Sequence, residues 1–418
     1  MTTPRFGYSV VASTLHDAHS VASVTAPVRG VLDDLGGAAI DIGEPDDGRA
    51  PSPRIFVVAT GGTERRLLEA IAPGADGRAP EPTVLIAHRG HNSLPAALET
   101  LAAIRQRGGR GRIVSVTGDP ATDRTLLDDA IGDLEAIVAM QSTRLGVIGG
   151  PSSWLVASSP DPEVVRRRWG PEVVTVEPTR MIELTRTPVT PTGVLAERFT
   201  RVADPVRTTV DRQAVDDAMG VRAALVDVLD NDRLDAVTVR CFDLLADPGT
   251  SGCLALASLN DDGIVAGCEG DVPSALAMLW VRHLLGQPTW MANPASLDVE
   301  RNELVLAHCT VAPSMVEGFA LDTHFESGKG VGISAEFAAQ PVTLIRLGGV
   351  DLDECWIVEG AIISTGDDAD LCRTQVRVSL SSGNVDDLLT HPLGNHLVLA
   401  SGHHERRLRS WWAMAVAD

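Results

Sequence analysis

The sequence predicts two doubly wound α/β domains followed by a mainly β C-terminal domain, divided at 1–172, 173–286 and 287–418. Three observations lead to this expectation. Short β-branched runs alternate with helical runs through the N-terminal third, as they do in a parallel layered sheet. The same alternation restarts near residue 176 and stops near Gly286. Beyond that point strands dominate, separated by Gly, Asp and Ser turns.

In the first domain RIFVVAT (54–60), TVLIA (83–87), RIVSVTG (112–118) and RLGVIGG (144–150) are short, apolar and followed by small or polar residues. Between them, TERRLLEAIA and SLPAALETLAAIRQRG space their apolar residues as amphipathic helices do. The segment 40–53, DIGEPDDGRAPSPR, reads as a surface loop. In the second domain VTVE is a strand, 193–230 a helical block, AVTVRCF (236–242) a strand, and GIVAGCEGDVPSALAMLWVRHLLG (263–286) a strand and a helix. In the third, ELVLAHCTVA, PVTLIRLGG, CWIVEGAIIS, RTQVRVSL and NHLVLASG read as strands of a small barrel or sandwich.

The 418 residues include 56 acids and 35 bases, a formal net charge of -21, and 44% are hydrophobic. So negative a chain repels polyphosphate backbones, which excludes nucleic acid as a partner. No basic segment followed by an apolar run opens the chain, and no stretch is apolar enough to span a membrane, so secretion and membrane spanning are not expected. The six cysteines include no C-x-x-C pair, and none precedes Cys241. That argues against a disulfide framework or a zinc ribbon and points to a reducing cytoplasm.

Glycine motifs are present but incomplete. GGT at 61–63 follows a strand and precedes a helix, where backbone N–H groups can hold an anion, yet the dinucleotide spacing is missing. Lys329, the single lysine, sits between Gly328 and Gly330 in a loop where its ammonium could meet a substrate anion. More informative is AGCEGDVPSALAML, where a strand ends at Cys268, two acids follow, and Pro273 falls in the first turn of a helix. Asp271 is placed to cap that helix. Glu269 lies at the carboxyl end of a sheet, where α/β folds place their ligands. His308 ends the run LVLAHC, and His396 opens the last apolar run. Carboxylate and imidazole at strand ends are the ligand set of a divalent ion such as manganese. Cys268 and Cys309 flank these residues and read as inert buried thiols.

These residues are where the chain resembles the L-fucose isomerase and L-arabinose isomerase superfamily, in particular its fucose-isomerase-like members. The matching text is NSLPAALETLA (92–102), IGGPSSWLVAS (148–158), AGCEGDVPSALAM (266–278), NELVLAHC (302–309), THFESGKGVGI (323–333) and LGNHLVLASG (393–402). The resemblance implies two α/β domains and a β-rich domain, a manganese-type ion, and aldose–ketose isomerisation in which two carboxylates move protons through an enediol. Glu269 matches the first carboxylate, which also binds metal; His396 matches the C-terminal ligand and His308 a further one. A homo-oligomer, trimer or hexamer, acting on a small polar sugar is also implied. In it a neighbouring subunit's first domain closes the pocket with His88, Arg89 and Asn92, and Trp154 covers an apolar sugar face.

The second carboxylate departs from the pattern. Where the family reads F-M-A-D or F-M-E-D, this chain has Trp290-Met291-Ala292-Asn293. Asn293 can offer a carbonyl oxygen to a metal but takes up no proton in the working pH range. Asp271 is the substitute proton carrier if it is not committed as a cap. The alternatives are a metal-assisted enolisation or lyase reaction, and a non-catalytic sugar-binding paralogue.

Overall fold

The computed structural model describes residues 4–42, 53–71, 82–186 and 193–416, so most of the loop expected at 40–53 lies outside the described residues. The chain forms two compact units, Met1–Val138 with Ser410–Asp418, and Ala139–Arg409. Mixed α/β layers with parallel sheets and a C-terminal β-barrel are present, as the sequence predicts.

The first unit holds a parallel sheet of β1 (Phe6–Val11), β2 (Gly37–Ala39), β3 (Arg54–Val58), β4 (Thr83–Ala87) and β5 (Gly111–Ser115), in the order β2-β1-β3-β4-β5. Val11, Phe56, Val58 and Leu85 pack one face against Ala96, Ala97 and Leu101 of the helix Ser93–Gln106. Two features depart from the expectation. β1, which the sequence reading passed over, is an inner strand between β2 and β3. The C-terminal residues return to this unit, where the buried Trp411 indole donates to the Asp133 carbonyl at 3.1 Å.

The second unit starts with another parallel sheet, β6 (Arg144–Ile148), β7 (Glu172–Val176), β8 (Ala236–Val239) and β9 (Ala266–Cys268), in the order β7-β6-β8-β9. The run RLGVIGG, read above with the N-terminal third, therefore pairs with the second sheet. After β9 the helix Val272–Leu285 is buried on every side through Val281, so it is a core helix rather than an amphipathic surface one. It ends on Gly286, whose φ of 69° closes the helix in the left-handed region.

The barrel consists of β10 (Trp290–Asp298), β11 (Glu303–His308), β14 (Pro341–Gly348), β15 (Glu354–Thr365), β16 (Thr374–Leu380) and β17 (Leu397–Ser401), closed in the order β10-β11-β16-β15-β14-β17. A separate hairpin pairs β12 (Gly318–Asp322) with β13 (Gly332–Glu336). Closure leaves no unpaired edge. The interior is apolar, with Leu304, Leu306, Leu344, Val376, Val378 and Leu397 fully buried. Among the described residues no helix is long and apolar enough to cross a membrane.

Candidate metal and substrate site

Two parts of the second unit supply the site. β17, β10 and β11 are neighbours in the barrel and carry His396 (just before β17), Asn293 and His308 at one rim; Asn293 is paired with Ala307, adjacent to His308. Glu269 comes from the turn after β9. That turn is tight because Glu269 (φ 61°) and Gly270 (φ 73°) are both left-handed. A Cβ at Gly270 would run into the Gly150 carbonyl, so only glycine fits there. Glu269 itself tolerates a conformation costing about 1–2 kcal/mol, and backbone bonds from Ser152 N to Glu269 O (2.8 Å) and from Gly270 N to Val239 O (3.1 Å) hold it.

One ligand atom each from Glu269, His308 and His396 lie within 4.8 Å of one another, and all three residues are buried. This cluster could hold a metal ion. Glu269 and His308 line a cavity of about 440 Å³ together with Trp154, Phe242, Asn293 and His324. Glu269 Oε2 accepts from the Trp154 indole at 2.6 Å, and Oε1 lies 3.5 Å from His396 Nε2. His396 Nδ1 meets Asp271 Oδ2 at 2.9 Å, whereas its buried Nε2 has no hydrogen-bond partner. A carboxylate holding the far nitrogen of a histidine while the near nitrogen points into a ligand cluster is the support that metal-binding histidines need.

The protonation states divide sharply. Burial lowers His308 to about 4, so its imidazole is neutral and ready to ligate. Burial also acts to lower His396, but the Asp271 and Glu269 carboxylates outweigh it and raise it to about 9. For Glu269, burial acts upward and the neighbouring His396 and Trp154 prevail, leaving the carboxyl below its ordinary value. Asp271 is driven upward by burial yet held far below the usual carboxylate range by Arg346 and His396.

Asp271 is wholly buried and outside the cavity lining. Its Oδ1 caps the helix by accepting from Ser274 N at 2.8 Å, and its Oδ2 receives Arg346 Nη1 at 3.0 Å as well as His396. The expected cap is present, and the alternative of a proton carrier facing substrate does not fit these contacts. Asn293 lines the cavity, with Nδ2 3.4 Å from the Asn395 carbonyl. Trp154 is 49% exposed and meets the Phe242 ring edge-on at 4.9 Å.

The remaining candidates are not among the residues lining this cavity. Lys329 donates to the Leu245 carbonyl at 3.0 Å and is not in the lining. His88, Arg89 and Asn92 belong to the first unit. There His88 Nε2 meets the Ala59 carbonyl at 3.0 Å, Arg89 is exposed, and Asn92 adopts a left-handed φ of 56° ahead of its helix. The Ser93 hydroxyl at the start of that helix donates to the Val58 carbonyl and accepts from His88 N.

Sequence reasoning missed Arg346, which is 1% exposed and also bonds to Ser158, Ser274 and the Leu393 carbonyl. In PVTLIRLGG it looks like an outward-facing strand residue. It likewise missed Thr310, whose hydroxyl meets His308 Nδ1 at 2.9 Å, and the lining residues His324 and Glu326. For His324 and Glu326 the run THFESGKG was the only signal.

No protein-family model matches the chain. Among curated proteins it is similar to sulfoquinovose isomerases, and these relatives are sugar isomerases by name. The Clostridium sp. (strain MSTE9) protein is 36% identical over 124 residues, 28% of this chain and 27% of the relative. The Alkalicoccus urumqiensis protein is 24% identical over 285 residues, 58% of this chain and 60% of the relative. The Priestia aryabhattai protein is 28% identical over 119 residues, 24% of this chain and 27% of the relative. The chain thus spans between about a quarter and three fifths of the length of the relatives it matches.

Proposed function

We propose that the chain is an aldose–ketose isomerase acting on a sugar or sugar derivative with the help of a divalent ion, manganese in the first instance. The observation that carries the proposal is the Glu269–His308–His396 cluster, whose Glu269 and His308 line a sugar-sized cavity with His396 buried behind them. The donor set fits such an ion: one ionised carboxylate, one imidazole kept neutral by burial, and a second imidazole whose buried Nε2 lacks a partner. Glu269, His308 and His396 would hold the ion, whose contribution is positive charge beside the oxygens on sugar carbons 1 and 2, lowering the cost of removing the proton from carbon 2.

The chain's own groups do the rest. Glu269 takes the carbon-2 proton and returns it to carbon 1 of the enediol, its ionised form favoured by His396 and Trp154. Asp271 and Arg346 fix His396. Trp154 keeps Oε2 of Glu269 oriented and presents an aromatic face to the substrate. In this reading the working enzyme is a cytoplasmic homo-oligomer, trimer or hexamer, with His88, Arg89 and Asn92 of the first domain contributing to a sugar pocket. Sulfoquinovose, named for the relatives, is the first substrate to try. Glu269→Gln should abolish isomerisation and weaken manganese binding; full activity in that variant overturns the proposal.

A second reading follows from Asn293, which stands in the cavity lining where the resembling family has an acid. Here the scaffold serves another metal-assisted enolisation or a lyase reaction, or binds sugar without turnover. Reaction in deuterated water with a panel of aldoses distinguishes the cases. Isomerisation conserves molecular mass apart from exchange at the migrating hydrogen, and a lyase does not. Isomerase activity gained only on Asn293→Asp favours the non-catalytic case.

A further inference from the structure

Five of the six cysteines, Cys241, Cys253, Cys268, Cys309 and Cys372, line the cavity that holds Glu269 and His308. Cys309 meets both Cys253 and Cys372, and the sulfurs of Cys241 and Cys268 lie 2.9 Å apart. They sit at the carboxyl ends of neighbouring parallel strands, with Val239 of β8 in register with Cys268 of β9. Each is followed by a residue of the site. Cys268 precedes Glu269. Cys241 precedes Phe242, whose ring supports the Trp154 indole that donates to Glu269. A covalent link here would join the carboxylate's turn to its aromatic brace.

Cys268 reads as an inert thiol in the sequence, but its contact with Cys241 changes that reading: we infer that Cys241 and Cys268 form an oxidisable dithiol, a modification site at which a small hydroperoxide turns the neighbouring centre down. Both residues, though buried, line the cavity that such an oxidant would enter. The Cys241 sulfur attacks hydrogen peroxide, breaking the O–O bond to give a sulfenic acid and one water. The Cys268 sulfur then attacks the sulfenic sulfur; the S–O bond breaks, the S–S bond forms, and the hydroxyl leaves with the Cys268 proton as a second water. Two thiols lose two electrons and two protons in all, and one peroxide becomes two waters. The sulfurs must close from 2.9 Å to about 2.05 Å. Cys268 is bonded directly to Glu269, so the left-handed turn moves with it. The effect on metal rests on the proposed reading of Glu269 as a ligand; the link itself does not.

The test treats the full-length protein with stoichiometric hydrogen peroxide, alkylates the remaining thiols, and maps linked peptides by mass spectrometry. Manganese binding is followed by calorimetry before and after. The expected result is a Cys241–Cys268 cross-linked peptide, two fewer titratable thiols, and manganese binding weakened about tenfold, the scale on which support of a ligand matters. Dithiothreitol should restore both readings. Cys241→Ser should show the same manganese affinity with and without peroxide, and Cys268→Ala serves if that variant misfolds. Failure to form the link, or a link between other cysteines, overturns the dithiol. A Cys241–Cys268 link with unchanged manganese affinity overturns its control of the site. A reduced protein that never binds manganese refutes the metal reading instead, and the linked peptide then decides the dithiol alone.

Discussion

Loading the site with a divalent ion should expel the proton on His396, and the pH dependence of metal affinity follows from that. The imidazole is fully buried and raised to about 9 by Asp271 and Glu269, so near neutrality it carries a proton on the nitrogen that must ligate. Removing that proton at pH 7 works against roughly two pH units, about 3 kcal/mol, and weakens binding about a hundredfold. The other ligands add no slope: His308 titrates at about 4, and Glu269 below its ordinary value, so both are already deprotonated. From about pH 5.5 to 8 the manganese dissociation constant should therefore fall about tenfold per pH unit. Calorimetry in two buffers of different ionisation enthalpy should register about one proton released per ion bound. A dissociation constant flat across this window, or no proton release, would refute the assignment of His396 as a ligand.

Asp271→Asn keeps an oxygen for the helix cap but leaves the Arg346 guanidinium buried without its counter-charge, so a denaturant melt at pH 7 should show a loss of about 3–5 kcal/mol. The same variant should lower the His396 pKa, read by NMR, because the leading support of its proton is gone. Trp154→Phe removes a hydrogen bond to an ionised carboxylate while keeping the contact with Phe242; kcat/KM should drop about tenfold, from about 1.5 kcal/mol, with stability nearly unchanged because the indole is half exposed. Gly330→Ala places a Cβ against the Ser251 backbone at a φ of 61°, and should destabilise by about 2–4 kcal/mol in thermal or chemical melts.

Much of the layered architecture can be read from the chain because each parallel strand is a short apolar run and each helix between them shows its spacing. β1 escaped that reading although FGYSVV is as apolar as its neighbours and a helix follows it, because that helix, Ala18–Asp34, carries Pro27 in its middle and so does not read as one. The strand Arg144–Ile148 is recognisable alone, but the sheet it joins depends on long-range pairing with β7 and β8 that no local pattern encodes. At the site, the strand-end positions of Glu269, His308 and His396 were visible, and the structure brings the three together. The pairing beneath them was hidden. Arg346 and Asp271 are separated by 75 residues, and a charged residue inside PVTLIRLGG gives no sign that it faces a buried carboxylate. Lys329 was conspicuous for its rarity, yet its ammonium is spent on the Leu245 carbonyl.

The helix Val272–Leu285 begins at the Asp271 cap, packs against β9, β14 and β17, and is buried through Val281. It connects the turn carrying the carboxylate to the barrel carrying both imidazoles, so the spacing of the three ligand atoms is gauged by how that one rod is seated. Residues such as Leu276 and Trp280, which are buried on that helix and do not line the cavity, contribute to how it is seated. Should the cluster hold an ion as proposed, its affinity would respond to a methylene added to or removed from that helix's core, with Glu269, His308 and His396 left in place.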